Sequence, residues 1–414
     1  MATRTSRHRA GAAVLTELLQ SRPRSERTVP CPCGQTASYR ELRTKQILTV
    51  VGPVEVERPY YLCPHRHAGQ SPQDAELDVQ GTECSPGVRR MMALVGSQSS
   101  FDNGRQQLER LAGLAVTTKA VERHAEAIGA DIAARQQVEI RRALQGELPE
   151  VRGPEIRVLY VQMDGTGVPV VAAETERRLG KREGEPAHTR EVKLGCVFTQ
   201  SGLDREARPL RDEDSTTYTG AIETAEEFGR RIYAEAYQRG WSRAQNRVVM
   251  GDGAPWIWNL AAEHFPGAVQ IVDLYHARQH LWQLAAQLFP SQERPRQRWA
   301  RALQRKLDQG KIEPLVAQLR SFPTPNEQLA ALLRTEADYF ASNAHRMRYP
   351  QFRRQKLFVG SGVIEAGCKT VIGVRLKQSG MFWTVRGANA ILALRCNRLS
   401  GKFEDYWESR GRAA

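Results

Sequence analysis

Val161-Gln-Met-Asp164-Gly-Thr-Gly167 is the stretch from which the fold of this chain is read. It closes an apolar, β-branched run that begins near residue 156, so the pattern predicts a strand whose end delivers a carboxylate to a glycine turn. The same pattern recurs at Val248-Val-Met-Gly-Asp252-Gly-Ala254. Two neighbouring strands ending at one sheet edge would bring Asp164 and Asp252 together across the chain between them. A third carboxylate is expected from a helix packed on that sheet, in Gly360-Ser-Gly-Val-Ile-Glu365-Ala-Gly-Cys-Lys369. Taken singly, each acid is as readily a turn residue or a helix cap. It is the three together that point to chemistry.

Three converging carboxylates suit hard divalent cations such as Mg²⁺, and a pair of such ions can clamp the attacking and leaving oxygens of a phosphodiester. The surroundings of Glu365 favour this reading. It is the only acidic residue between Asp338 and Glu404, a stretch that holds twelve Lys or Arg. Lys369 falls one helical turn beyond it on the same face, where it can meet a phosphate. Arg375 and Lys377 follow in the same basic field and are expected to bind DNA. A fourth candidate, Val269-Gln-Ile-Val-Asp273-Leu-Tyr-His276, places an Asp-x-x-His pair at a strand-to-helix junction. Either Asp273 and His276 shape the reacting site, or Asp273 caps the helix and His276 packs.

The whole composition agrees with a polyanionic partner. Sixty Lys and Arg against 46 Asp and Glu give a net charge of +14 over 414 residues, which favours nucleic acid. That length predicts two or three domains. No apolar run is long enough for a membrane span, and no secretory pattern follows the basic N-terminus, so a cytoplasmic, nucleoid-associated location with no membrane partner is expected. Seven cysteines, an odd number, do not make a secreted disulfide framework.

The chain is expected to divide into a basic N-terminus (1–27), flexible or a loosely docked helix, a zinc-ribbon-like β module (28–85), a helical, helix-turn-helix-like segment (86–150), and an α/β core. The core's first part is 151–288, followed by a helical insertion at 289–358 and C-terminal helices at 359–408 carrying Glu365. Within the core, strands are expected at 156–163, 168–173, 192–199, 246–251 and 268–272, with helices at 219–239, 255–264 and 275–288. The charged stretch 174–191 reads as a hairpin tip or loop. Cys31-Pro-Cys33 and Cys63-Pro-His65-Arg-His67 supply two close-spaced pairs of soft and imidazole ligands, a candidate tetrahedral Zn²⁺ site of Cys31, Cys33, Cys63 and His65, with His67 the alternative. The rival reading is an unmetallated module with buried thiols. In the helical segment, Leu108, Leu111 and Ala112 are expected to face the core. Thr117 or Thr118 would cap a second helix whose Thr118, Lys119, Glu122 and Arg123 are exposed candidates for reading DNA. Trp383 reads as core, with stacking on an unpaired base the alternative.

In order along the chain, Asp-Gly-Thr, Gly251-Asp-Gly-Ala-Pro-Trp-Ile257, Asp-x-x-His and Gly-Ser-Gly-x-Ile-Glu resemble the DDE transposases of bacterial insertion sequences. The likeness is strongest to the Mutator-like branch and its Kra group, where an Asp- or Cys-x-x-His motif lies between the second Asp and the Glu. Arg375-Leu-Lys-Gln-Ser-Gly-Met-Phe-Trp383 and Gly387-Ala-Asn-Ala-Ile-Leu-Ala-Leu-Arg395 also resemble that group, so the similarity spans roughly residues 30 to 408. The resemblance implies an RNase H-like core, a mixed sheet flanked by helices, interrupted by an all-helical insertion. It implies two Mg²⁺ ions (or Mn²⁺) on Asp164, Asp252 and Glu365. It also implies binding of terminal inverted repeats, cleavage and joining of DNA to a target, and a dimer or larger assembly. In that family a Cys pair precedes the core, with a second Cys where His65 or His67 stands here. A non-cleaving DNA-binding relative and an RNase H-like nuclease without strand transfer are the rival functions.

Overall fold

The computed structural model describes residues 2–20, 26–149, 151–180 and 186–411. Two compact units emerge, residues 1–133 with 401–414, and residues 134–400, the boundary falling inside one long helix. Residues 1 and 21–25 of the expected flexible N-terminus, 150, 181–185 of the charged stretch, and 412–414 lie outside the described residues.

In the first unit, residues read from sequence as either a flexible tail or a loosely docked helix form helix α1 (Ala2–Gln20). Its Ala12, Leu15 and Leu19 pack on Ile47, Val54, Val56 and Val79. Burial of that apolar stripe stabilises a segment whose charge pattern alone suggests solvation. Strands β1 (Thr28–Pro30), β2 (Thr36–Thr49), β3 (Gly52–Cys63) and β4 (Ala68–Gln70) make an antiparallel sheet in sequential order. Short α2 (Gln73–Glu76) leads to α3 (Pro86–Gln98), whose N-terminus is capped by Ser85, and to α4 (Phe101–Gln107), which continues into a π-helical turn at 108–112. Gly113, at φ +69°, ends that turn, and α5 (Thr118–Leu144) follows. Leu108 is buried with Leu114 and Val121. Leu111 is 75% exposed, contrary to the core face read from sequence, because the π-helical turn rotates it off the α-helical stripe. The last helix, Phe403–Gly411, belongs to this unit. Its Arg410 pairs with Asp78 at 2.9 Å and Asp131 at 3.1 Å.

The second unit is a mixed α/β layer structure. Strands β5 (Ile156–Pro169), β6 (Thr189–Gln200), the short β7 (Gly202–Leu203) and β8 (Pro209–Leu210), and β9 (Thr217–Ala221) are followed by α6 (Ala225–Gln238). Then come β10 (Ala244–Gly251), α7 (Pro255–His264), β11 (Val269–Val272) and α8 (Leu274–Leu288). The five-stranded sheet runs β11-β10-β5-β6-β9. Strand β6 is antiparallel to both neighbours, and β10 and β11 run parallel to β5. The central strands are buried almost throughout, as near-continuous apolar runs require.

Residues 156–169 form one strand rather than two, so Asp164 sits within β5, opposite Leu194, instead of at a strand end. Residues 217–221, placed partly at the start of a helix, are the edge strand β9, and α6 starts later, behind a capping box of Thr224 and Glu227. Asp252 does follow the last residue of its strand.

After α8 the chain leaves the sheet through α9 (Glu293–Asp308), α10 (Ile312–Arg320) and α11 (Glu327–Ser342), and returns by α12 (Tyr349–Arg354). It then forms α13 (Gly362–Gly367), a π-helical turn at 368–373, α14 (Val374–Leu376) and α15 (Val385–Leu399). The sheet's own polar side chains catch the returning strand of chain. The Tyr160 hydroxyl accepts from Phe358 N at 3.2 Å, and the Gln200 amide donates to Lys356 O at 3.0 Å. Phe358 meets Tyr160 and Phe198 edge to face, at 5.4 and 5.9 Å between centroids.

Candidate active site

Asp164, Asp252 and Glu365 line one cavity of about 450 Å³, with Tyr275, His276, Gln279 and Ser361 around them. Each arrives by a different route. Asp164 projects from the middle of β5, where its Oδ1 accepts from Gly165 N at 2.7 Å and its Oδ2 from the Cys368 thiol at 3.3 Å. Asp252 starts the turn after β10 and accepts from Ala254 N at 2.9 Å. The following Gly253 has φ +101°, and a Cβ there would meet the Tyr339 ring at 2.6 Å, so only glycine suits this turn. Glu365 stands on α13 and is exposed to the cavity side of solvent.

Burial raises the Asp164 carboxyl above its ordinary value, and the nearby Asp252 charge adds to the rise. The Cys368 thiol, the Gly165 amide and His276 act in the opposite direction. Burial, with Asp164 alongside, pushes the Cys368 thiol well up, so it stays a donor. Two carboxylates close enough for one to raise the other form a set whose charge a divalent cation would neutralise.

Asp273 is fully buried and caps α8, accepting from Tyr275 N at 2.5 Å and His276 N at 3.1 Å. Its other oxygen accepts from Ser361 N at 2.9 Å and from the Ser361 hydroxyl. With these four donors it is saturated, and it joins the start of α8 to the start of α13. Gln162, buried beneath the site on β5, accepts from Ile364 N at 3.0 Å and so holds the next turn of α13. His276 lines the cavity, and its Nε2 lies 3.2 Å from His280 Nε2.

The basic residues separate into two kinds. Lys369 is exposed, and Lys377, also exposed, donates to Thr166 at 2.5 Å beside Asp164. Arg375, expected to contact DNA, is fully buried, its guanidinium 4.9 Å from the centre of the Trp383 ring. It follows the π-helical turn at 368–373 and its side chain lies inside the fold. Trp383 is itself buried and donates to Leu376 O at 3.1 Å, which leaves no face for a base.

In the first unit, the sulfurs of Cys31, Cys33 and Cys63 lie within 4.8 Å of one another. The Arg66 amide lowers the Cys63 thiol, helped by Cys31, the His65 amide and Cys33 against the opposing effect of burial. Amides aimed at sulfur favour a thiolate, the form that binds metal. Neither His65 nor His67 belongs to that group. Lys119 is exposed and pairs with Glu122 at 2.8 Å, Arg123 is exposed, and Thr118 donates to Asp102 at 3.0 Å. Sequence reading missed Gln162, Ser361, His280 and Tyr339. Only the spacing of the two histidines, one helical turn apart, carried a signal.

A family model described as an uncharacterised protein family, UPF0236, matches residues 35–410. No curated protein matches the sequence. Among solved structures, a Drosophila P element transposase strand transfer complex aligns over 81% of this chain and 83% of that one, with 10% identity. Its TM-score of 0.28 is too low to establish a common fold. The family match covers nearly the whole chain, which therefore belongs to UPF0236.

Proposed function

We propose that this UPF0236 member is a DDE transposase, cleaving DNA at the ends of a mobile element and joining the freed 3′ ends to a target. The observation that carries the reading is the convergence of Asp164, Asp252 and Glu365 on one cavity, from a strand, a strand end and a helix beyond an inserted helical region. A five-stranded mixed sheet flanked by helices, with that insertion between the second and third acids, fits the RNase H-like core that the sequence resemblance implies.

The donor set fits Mg²⁺ or Mn²⁺, with all three acids as oxygen ligands. Bound ions would supply Lewis-acid activation of the attacking oxygen and neutralise the leaving one. The chain's own residues do the rest. Cys368 and Gly165 orient Asp164, the Ala254 amide orients Asp252, and Asp273 with Gln162 docks the helix carrying Glu365. Lys369 and Lys377 offer cations beside the carboxylates for the phosphate backbone.

Cys31, Cys33 and Cys63 supply three ligands of a structural Zn²⁺ site, whose fourth is a histidine of the following turn or water. That module and Lys119 and Arg123 on α5 would bind the terminal inverted repeats, with two copies of the chain joining two ends.

The test is a reaction of purified protein, Mg²⁺, labelled element ends and a plasmid target. Covalently joined product supports the transposase reading. Cleavage without joining replaces it with a nuclease. Specific end binding with neither, in Mg²⁺ or Mn²⁺, replaces it with a non-cleaving DNA-binding protein.

A further inference from the structure

The insertion does more than separate the second acid from the third. Helix α11 reaches the site with two residues one turn apart, Glu336 and Tyr339, which lie on one face of the helix. Glu336 Oε2 lies 2.9 Å from His280 Nδ1. His280 Nε2 lies 3.2 Å from His276 Nε2, and His276 lines the cavity with the three carboxylates. The Tyr339 ring stacks on the His280 ring, with centroids 4.2 Å apart and planes at 12°. Glu336 and His280 are not among the proposed metal ligands.

We infer that Glu336 is a positioning residue that, through His280, fixes which nitrogen of His276 carries a proton. An ionised carboxylate only accepts, so the proton in the Glu336–His280 contact belongs to His280 Nδ1. In a neutral pair His280 Nε2 is then an acceptor, and the proton between the two rings belongs to His276 Nε2. His276 is left with its lone pair on Nδ1. The chain runs Glu336 ← His280 ← His276, each arrow a donated hydrogen bond, and stacking on Tyr339 holds the middle ring in plane. A neighbouring group sets a tautomer in this way wherever an imidazole must present one defined nitrogen.

The use of that nitrogen at the DNA depends on the transposase reading. The Nδ1 lone pair would take the proton from the attacking hydroxyl or water as the new P–O bond forms and the bond from phosphorus to the departing 3′ oxygen breaks, that oxygen leaving with the electron pair and taking a proton from solvent. The tautomer itself does not depend on that reading.

The experiment uses the full chain labelled with ¹⁵N-histidine, with long-range ¹H–¹⁵N spectra assigned through His276→Gln and His280→Gln. The expected result is His280 protonated at Nδ1 and His276 at Nε2. Glu336→Ala converts both to tautomer mixtures, and Glu336→Gln, whose amide oxygen still accepts, keeps the wild-type pattern. DNA cleavage by Glu336→Ala falls about tenfold or more and is partly restored in Glu336→Gln. A wild-type His280 protonated at Nε2, or a Glu336→Ala spectrum unchanged from wild type, overturns the inference. Spectra as described together with no metal-dependent cleavage by the wild type uphold the relay and overturn the transposase reading instead.

Discussion

The carboxylate of Asp273 accepts hydrogen bonds from both the backbone N–H and the hydroxyl of Ser361, 88 residues further along the chain. One buried anion thus ties the start of α8 to the start of the helix that carries Glu365. The same hydroxyl lies 3.2 Å from Glu365 Oε1, so the junction also touches the third acid directly.

Ser361→Ala removes one of the four donors to that buried charge. A hydrogen bond to a charged group contributes about 1.5–3 kcal/mol, so urea denaturation should show a loss of that order. DNA cleavage should fall further than the stability change explains, because α13 loses its register on the sheet. A variant as stable and active as wild type would mean the Asp273–Ser361 contact does not hold α13.

The pH dependence follows from Asp164. Its raised carboxyl favours the protonated form in the folded protein. Its contribution to stability is therefore full below the ordinary carboxylate range and is lost as pH rises through the raised value. Bound Mg²⁺ competes with that proton. Thermal denaturation with and without Mg²⁺, from about pH 4 to pH 7, should show a metal-induced rise in Tm that grows with pH. Asp164→Asn should flatten the trend. A Mg²⁺ effect independent of pH would separate Asp164 from metal binding.

Tyr339 donates to the backbone oxygen of Asp252 at 2.9 Å and covers Gly253. Tyr339→Phe keeps the ring stacked on His280 and removes only this bond. Mn²⁺ affinity, measured by titration under electron paramagnetic resonance, should drop about 10–100-fold, as for other groups that orient a metal ligand. Affinity equal to wild type would show that the Asp252 turn holds without the hydroxyl.

Lys369 and Arg375 should part company. Lys369→Ala should weaken DNA binding and lower the slope of affinity against salt by about 1, as loss of one phosphate contact does. Arg375→Ala should leave the salt slope unchanged and destabilise the fold, since its guanidinium is buried against Trp383. Fluorescence anisotropy across a salt series, with a parallel thermal melt, separates the two. A reduced slope for Arg375→Ala would require that side chain to reach DNA.

The site was partly legible in the sequence because two of its acids obey local rules. Asp252 follows a strand end and Glu365 opens a helix, both visible from pattern alone. Asp164 obeys no such rule. Its Gly-Thr-Gly looks like a turn, yet twelve register pairs with β6 carry the strand on to Pro169, and such non-local pairing overrides turn propensity. The groups that assemble the site were not legible for a related reason. Tyr160, Gln162 and Gln200 sit in apolar strands, where a lone polar residue says nothing of its partner until the chain returns across the sheet. Charge counting failed at Arg375, since composition treats an arginine inside and one outside alike. The Asp-x-x-His pair was open between shaping the reacting site and a cap with a packed histidine, and the structure divides it, giving Asp273 four donors and a cap while His276 lines the cavity.

The most direct test of the account is anomalous scattering from crystals of the protein soaked in Mn²⁺. Density for a pair of ions is expected in the cavity between Asp164, Asp252 and Glu365, with each acid at coordination distance from at least one ion, and its loss is expected in Asp252→Asn. Density elsewhere on the chain, or none at Mn²⁺ concentrations that support cleavage, would contradict the claim that these carboxylates form one metal site.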